Sequence, residues 1–431
     1  MLPNEKSVTV PSFQWDVIIA GAGPAGIAAA VGSARLGAKT LLIERYGFLG
    51  GMATAGVVHP WMTFHAGGKQ LVAGVLQDII DRLKERGAYK ISSHFGNVHH
   101  CFDPEHLKQV ELELVLEAGV QLMLHTFVVD AIREGDGICG VVTESKSGRE
   151  EHRGSVIVDA TGDGDVAAHV GAEYEKGRPE DGLMQPMTLH FRMGGVDVPR
   201  MPSREEINGM YVSAKERGEI DNPRENLLWF DTTHEDQIHF NTTRVTHVDG
   251  TSRDDLTKAE IEARRQTWEV VSFLQQRVPG FEEAYLLWTA PQIGVRETRR
   301  IMGDYVLTEE DVLGARKFPD AITLGSYDID IHNPAGTGTI IKRLPAGEYY
   351  AIPYRCLLPR GLQGLLVAGR PISTTHEAHS SVRIQAICSG MGHAAGIAAA
   401  LAARGSTVPR ALDVNVIQSE IVAQGGILDA G

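Results

Sequence analysis

Residues 15–44, WDVIIAGAGPAGIAAAVGSARLGAKTLLIE, decide the fold. Trp15 to Ala20 is a short apolar run with adjacent isoleucines, Gly21 to Gly26 is dense in glycine, and an alanine-rich stretch runs on to Leu36. That order reads as strand, tight turn and helix. Gly37 stops the helix, and Lys39 to Ile43 forms a second apolar strand ending at Glu44. Gly21, Gly23 and Gly26 have the G-x-G-x-x-G spacing. In such a turn the first two glycines let main chain bend tightly and touch a pyrophosphate, and the third lets helix and strand pack closely. The helix N-terminus adds unpaired N–H groups and a positive dipole end. Glu44, eighteen residues past Gly26, stands where it can accept from ribose hydroxyls. Together these features predict a βαβ unit that binds a dinucleotide.

Outward from that unit, Leu71, Val75, Leu76, Ile79, Ile80 and Leu83 recur at helical spacing and predict an amphipathic helix. Asp103 followed by Pro104 predicts a capped helix start, with Gly119 at its end. Val120 to Val129, Gly140 to Glu144 and Ser155 to Ala160 read as strands, the last feeding Thr161-Gly162-Asp163-Gly164-Asp165, and a parallel sheet is the simplest arrangement. From Gly171 the texture changes. Met187, Leu189, Phe191 and Met193 alternate with Thr188, His190 and Arg192, and 238–246 alternates again, as half-exposed antiparallel strands do. Ser203 with Glu206, and Thr257 with Glu260, read as capping boxes. Gly364 to Gly369 returns to the buried-strand pattern. The expectation is an α/β protein in which 1–171 and 346–431 build one Rossmann-like domain around an inserted α+β substrate domain at 172–345.

Composition narrows the function. At 431 residues the chain holds about two or three domains and a large core. With 41 Lys plus Arg against 55 Asp plus Glu, a net charge of -14 argues against a nucleic-acid partner. Four scattered cysteines, Cys101, Cys139, Cys356 and Cys388, fit a reducing compartment, and the polar Met1 to Ser12 lacks the apolar core of a signal peptide, so a cytoplasmic location is expected. Ile384 to Ala403 has no formal charge, but its Ala, Gly and Ser content reads as a buried helix pressed against backbone or a flat ligand rather than a membrane span. The 48 glycines, above the usual share of about 7%, also point to close main-chain approach. More glycine loops, at Gly50-Gly51, Thr161 to Gly164 and Gly369, suit a long cofactor better than a nicotinamide nucleotide alone.

Nearly the whole chain resembles the FAD-dependent oxidoreductases whose flavin domain is of the glutathione-reductase type, related to the fumarate reductase and succinate dehydrogenase flavoproteins. The resemblance lies in DVIIAGAGPAGIAAA (16–30), LLIERYGFLGGMATAG (41–56), VDATGDGD (158–165), IGVRETRRIMGDY (293–305), IPYRCLLP (352–359), LLVAGRPISTTHEAHSSVR (365–383) and GMGHAAGIAAALA (390–402). It implies that Gly21, Gly23, Pro24, Ala25 and Gly26 hold the FAD pyrophosphate and that Glu44 binds the adenosine ribose beside Arg45. Gly50, Gly51, Met52 and Ala53 run along the ribityl and ring, Val128 meets the adenine, and Ala160, Thr161 and Gly162 line the pyrophosphate side. Gly369 and Arg370 meet the ribityl chain, while Gly390, Met391 and Gly392 bring a helix N-terminus to the pyrimidine edge. Where covalent relatives carry a histidine this chain has Met52, so non-covalent FAD is expected. No cysteine lies in 45–60, so flavin-to-disulfide chemistry is excluded, and 172–345 has no second G-x-G-x-x-G for NADPH.

The polar clusters supply candidates for chemistry. His376 and His379, between the Gly369 loop and the glycine-rich helix, are the expected bases, and Arg296 and Arg383 the expected cations for an anionic substrate. His59, Asn241 and Arg244 are expected in the cleft wall. His94, His99, His100, Cys101, Asp103 and His106 crowd together, but lack a C-x-x-C pair or an H-E-x-x-H helix and read as a polar loop near the cleft rather than a metal centre. The expected function is two-electron transfer between a small organic substrate and FAD, as a dehydrogenase or oxidase. A flavin-dependent monooxygenase and a non-catalytic FAD carrier are the alternatives. The electron acceptor and self-association are left open.

Overall fold

The computed structural model describes residues 14–93 and 98–430, so His94 and the segment before Gln14 lie outside the described residues. The fold is mixed α/β around a parallel-sheet core. Strand Gln14–Ala20 pairs in parallel with Thr40–Ile43 on one side and with Gly148–Asp159 on the other. Thr40–Ile43 pairs in parallel with Gln121–Met123, and Gly148–Asp159 with Leu365–Val367, so residues from both ends of the chain share the sheet. The expectation of an all-parallel sheet fails at 127–159. There Phe127–Glu134, Gly137–Ser145 and the first half of Gly148–Asp159 form an antiparallel meander, because the strands are joined by tight turns rather than crossover helices.

Helix Pro24–Arg35 lies against helix Gln385–Arg404, and glycine makes the contact possible. A Cβ on Gly392 would stand 1.9 Å from Ala25 O, and one on Gly396 2.0 Å from Ala29 O. The long helix is apolar enough to cross a membrane, yet 94% of its apolar window is buried inside the protein. Its glycines therefore serve helix packing. Asp103 caps helix Pro104–Glu117 through the amides of Glu105 and His106, and Ser203 and Glu206 form the expected capping box on Arg204–Glu216. Thr257 caps nothing: helix Arg253–Arg277 starts earlier, from Ser252, and Thr257 Oγ1 donates to Arg253 O inside it.

A four-stranded antiparallel sheet stands apart, in the order Trp229–Asp231, Ile238–Phe240, Phe191–Gly194, Tyr285–Thr289. One core is formed by Phe191, Tyr211, Trp229, Phe240, Val270 and Phe281. The alternating run 187–193 is not half-exposed. Thr188, His190 and Arg192 are as buried as Met187 and Leu189: Thr188 and His190 face a cleft instead of open solvent, and the Arg192 guanidinium lies over the Trp288 ring and donates to Gln237 Oε1. Leu307, Ile322, Leu324 and Ile331, expected in the insertion, pack in the same core as the two glycine-joined helices.

Candidate active site

A cleft of about 1430 Å³, part of it open to solvent, runs from the Gly21 turn to the antiparallel sheet. Its near half is built from the first βαβ unit. Gly21 has φ +93°, and a Cβ there would lie 2.5 Å from Ala160 O, so only glycine fits where the two strand ends meet. Gly23, Pro24 and Ala25 present the helix N-terminus to the cleft, and Gly51 and Met52 face them from the loop after the second strand. Opposite, Ala160, Thr161, Gly162, Gly369 and Arg370 form the other wall. Fully buried Asp159 shapes that wall by accepting from the amides of Thr161 and Ala167.

Glu44 is buried, and its two oxygens accept from Ala22 N at 2.8 Å and Tyr46 N at 2.9 Å. Burial raises its pKa above the usual carboxylate range, against those two bonds and the neighbouring Arg45. Each oxygen keeps a lone pair for a ribose hydroxyl. Beside it a smaller pocket, lined by Thr126, Phe127 and Val128, shares Gly21, Glu44, Arg45 and Thr161 with the main cleft. A long ligand thus has a continuous glycine-walled path from this side pocket past the helix N-terminus. The cradle fits FAD: at Gly21 and at Gly369, which also has φ +88°, an added Cβ would collide with Ala160 or Ala25, so the wall here is bare main chain that a pyrophosphate can approach closely.

The distal half has a different chemistry. Arg296 donates to Pro186 O at 2.7 Å, Thr188 Oγ1 at 2.6 Å and Asn241 Oδ1 at 3.3 Å, all neutral acceptors. Its pKa is pushed well below the usual range by burial first and then by the charges of Arg383, Arg224 and Arg244. Among the described residues the Arg383 guanidinium has a single long bond, 3.4 Å, to Gln185 Oε1, and its Nε has no partner. Tyr327, Asp330 and His332 line the same half, and Asp330 is the one carboxylate in it among the described residues. The wall also holds His59 and His190. His59 Nε2 is 2.9 Å from Asp231 O, and burial with nearby Arg192 pushes its pKa down to about 3. His190 Nδ1 lies 2.9 Å from His239 Nε2, and burial drives both imidazoles well below their usual range, so this wall is neutral at pH 7.

Several expected residues lie elsewhere. His376 and His379 do not line the cleft: they sit in the buried helix His376–Val382, where His376 Nδ1 is 2.9 Å from Glu297 Oε1 and His379 Nε2 is 3.0 Å from Arg370 O. Arg244 stands behind the wall, donating to Gly336 O and Gly338 O, with Nη2 3.4 Å from His332 Nδ1. Gly390, Met391 and Gly392 are past the first turn of their helix and face protein. The segment that reaches the cleft is its true start, Ile384 and Gln385, with Cys388. Gly26 packs on Gly21 O, Gly50 abuts Thr54 and Glu111, and Ala53 is buried in the core. In the His99 to His106 segment, His100 Nδ1 meets Tyr89 OH, and Asp103 pairs with His106 and His234. Sequence reasoning missed Tyr46, His190, Tyr327, Asp330, His332 and Gln385. Only His190 carried a signal, its place in the alternating run.

A family model described as FAD dependent oxidoreductase matches residues 16–421. The chain belongs to the FAD-dependent oxidoreductase family. It is an FAD-dependent oxidoreductase enzyme, and FAD is its cofactor. Among solved structures this oxidoreductase is similar to p-nitrophenol 4-monooxygenase from Pseudomonas putida, at 11% identity over 96% of this chain and 85% of that one, with a TM-score of 0.48. A flavin-dependent brominase matches at 13% identity over 96% and 83%, with a TM-score of 0.47. A geranylgeranyl bacteriochlorophyll reductase-like protein from Thermoplasma acidophilum matches at 13% over 95% and 83%, with a TM-score of 0.45. No curated protein matches the chain in sequence.

Proposed function

We propose that this oxidoreductase is a dehydrogenase or oxidase that takes two electrons from a small anionic molecule held in the distal cleft beside non-covalent FAD. When bound, FAD supplies the two-electron acceptor. The reading rests on one observation: Arg296 is buried and Arg383 half-buried in the cleft wall, and neither has a carboxylate within ion-pair distance among the described residues. A desolvated guanidinium bonded only to neutral acceptors is held at a penalty, and the Asp330 carboxylate, which acts on both arginines without pairing with either, is a single charge against two. A ligand carboxylate in charge-assisted contact with the guanidinium groups relieves that penalty. Asn241 orients Arg296, and His59 is a neutral part of the same wall.

The antiparallel meander beside the parallel strands supports a flavin domain of the glutathione-reductase type, and the separate four-stranded sheet over the distal half supports a substrate cap. Met52, which lines the cleft, offers no nucleophile for a covalent flavin bond, in keeping with releasable FAD. His376 and His379 are reassigned as positioning residues, one holding Glu297 beside Arg300 and the other supporting the Arg370 main chain.

The test mixes FAD-loaded protein anaerobically with matched carboxylate-bearing and neutral metabolites and follows bleaching of the flavin band. Bleaching by a carboxylate-bearing member is expected, with affinity for it falling about 10–100-fold in Arg383→Met. Bleaching confined to neutral or cationic members overturns the reading. So does reduction by NADPH with oxygen entering the product, which identifies a monooxygenase.

A further inference from the structure

The distal cleft holds charges of both signs with no close ion pair between them among the described residues, although the Asp330 carboxylate acts electrostatically on Arg383 and Arg296 across the cavity. Asp330 lies on strand Ile329–His332, with its side chain 18% exposed, and lines the cleft with Arg296 and Arg383. No arginine or lysine comes within ion-pair distance of it among the described residues. Its Oδ2 accepts from Tyr327 OH at 2.9 Å, and the nearest imidazole nitrogen, His332 Nε2, stands 3.8 Å away. Burial keeps that imidazole neutral and the Tyr327 phenol protonated. Oδ1 has no partner among the described residues, so Asp330 presents a free acceptor oxygen to the cavity with its other oxygen fixed by a donor. Arg296 is anchored just as firmly by Pro186, Thr188 and Asn241. Asp330 and Arg296 are thus each held by their own neutral neighbours, which keeps this cation and the anion from closing into a pair. Arg224 and Arg244 also act electrostatically on Asp330 from behind the wall, and Glu225 lies 3.5 Å from Arg244.

A plain carboxylate satisfies the arginines and leaves Asp330 facing it, a repulsive and unsolvated contact. A carboxylate that also carries an O–H or N–H donor satisfies both sides at once. We infer that the distal cleft is selective for a carboxylic acid bearing such a donor, a hydroxy acid or an amino acid, with the carboxylate toward Arg296 and Arg383 and the donor accepted by Asp330 Oδ1. This rests on the anionic-substrate reading above and sharpens its substrate class.

The test measures binding, independent of turnover. FAD-loaded protein is titrated anaerobically, by calorimetry and by shifts of the flavin spectrum, with three triads: lactate, alanine and propanoate; malate, aspartate and succinate; 3-phenyllactate, phenylalanine and 3-phenylpropanoate, using both enantiomers of the chiral members. In at least one triad a donor-bearing acid should bind about 10-fold or more tightly than the plain acid. Which member wins separates hydroxyl from amine. Asp330→Asn places an amide on the strand and should bring that ratio to within about 2-fold while plain-acid affinity holds or rises. If Asp330→Asn does not fold, Asp330→Ser serves as the second variant with the same expectation. Equal binding within every triad in the native protein overturns the inference. If the plain acids then still bind and weaken in Arg383→Met, the anionic-substrate reading survives. No binding by any member overturns both.

Discussion

Arg370 Nη2 lies 2.6 Å from Asp163 Oδ1, closing a bond between loops 207 residues apart. Arg370 also donates from Nε to Gly162 O, and to Val295 O, while Thr298 Oγ1 donates to Asp163 at 3.0 Å. This ion pair therefore ties the two loops of one wall of the near cleft to each other and to the segment that carries Arg296. Each partner is only 12% exposed. Asp163→Ala strands a nearly buried guanidinium and should reduce stability by roughly 3 kcal/mol. FAD binding should weaken with it. Urea unfolding with and without FAD measures both, and a loss below about 1 kcal/mol would put the pair in the solvent-screened class.

Glu44 accepts from two backbone amides, so its carboxylate is locked in place before any ligand arrives. Glu44→Ala should weaken FAD by about 1–3 kcal/mol, the scale of a lost charge-assisted hydrogen bond. Fluorescence titration of apoprotein with FAD reads this as a rise in Kd of about 5- to 150-fold. Unchanged affinity would remove Glu44 from the ribose site.

The contact between the first helix and the glycine-rich helix leaves no room for a methyl group. Gly396→Ala would set a Cβ 2.0 Å from Ala29 O, which only a main-chain shift relieves. The cost should exceed the roughly 1–3 kcal/mol of ordinary overpacking, and FAD should be lost because the moved helix begins at the cleft. Gly209 is the control: it is exposed within helix Arg204–Glu216, with nothing near its added Cβ. Gly209→Ala should stabilise by about 0.5–1 kcal/mol. Thermal unfolding of the two variants side by side checks both signs.

Acid should unfold this protein through its buried imidazoles. His59, pushed down to about 3 by burial and Arg192, stays neutral in the fold where the unfolded chain protonates it below about 6.5. The unfolded state then binds more protons, so stability is full above the unfolded pKa and is lost as pH falls from about 6.5 toward 3. His190, His239, His332 and His379 are shifted the same way by burial and add to the slope. Each contributes about 1.4 kcal/mol per pH unit in that window. His59→Gln should flatten the stability profile between pH 6 and 4 by about that slope, as measured by urea unfolding at each pH. A profile parallel to that of the native protein would mean that His59 is solvated.

The sequence by itself determined the near half of the site. Gly21, Gly23, Gly26 and Glu44 sit within one strand-turn-helix-strand unit, where backbone sterics and capping act over a few residues and leave a periodic trace. The helix starts at Pro24, Pro104 and Arg204 were readable for the same local reason. In the distal half the sequence singled out Arg296, Arg383, His59 and Asn241 as candidates, but tertiary structure decided what they meet. Arg296, Tyr327, Asp330 and Arg383 meet across a cleft from separate segments, and no spacing rule connects residues whose proximity is set by packing of distant strands. His376 and His379 look close to the site along the chain, but their short helix turns both rings into protein, toward Glu297 and the Arg370 carbonyl. The glycines at 390–396 gave a true signal of close approach without naming the neighbour. A missing side chain records that something presses near, and only the folded chain shows that here it is the backbone of another helix.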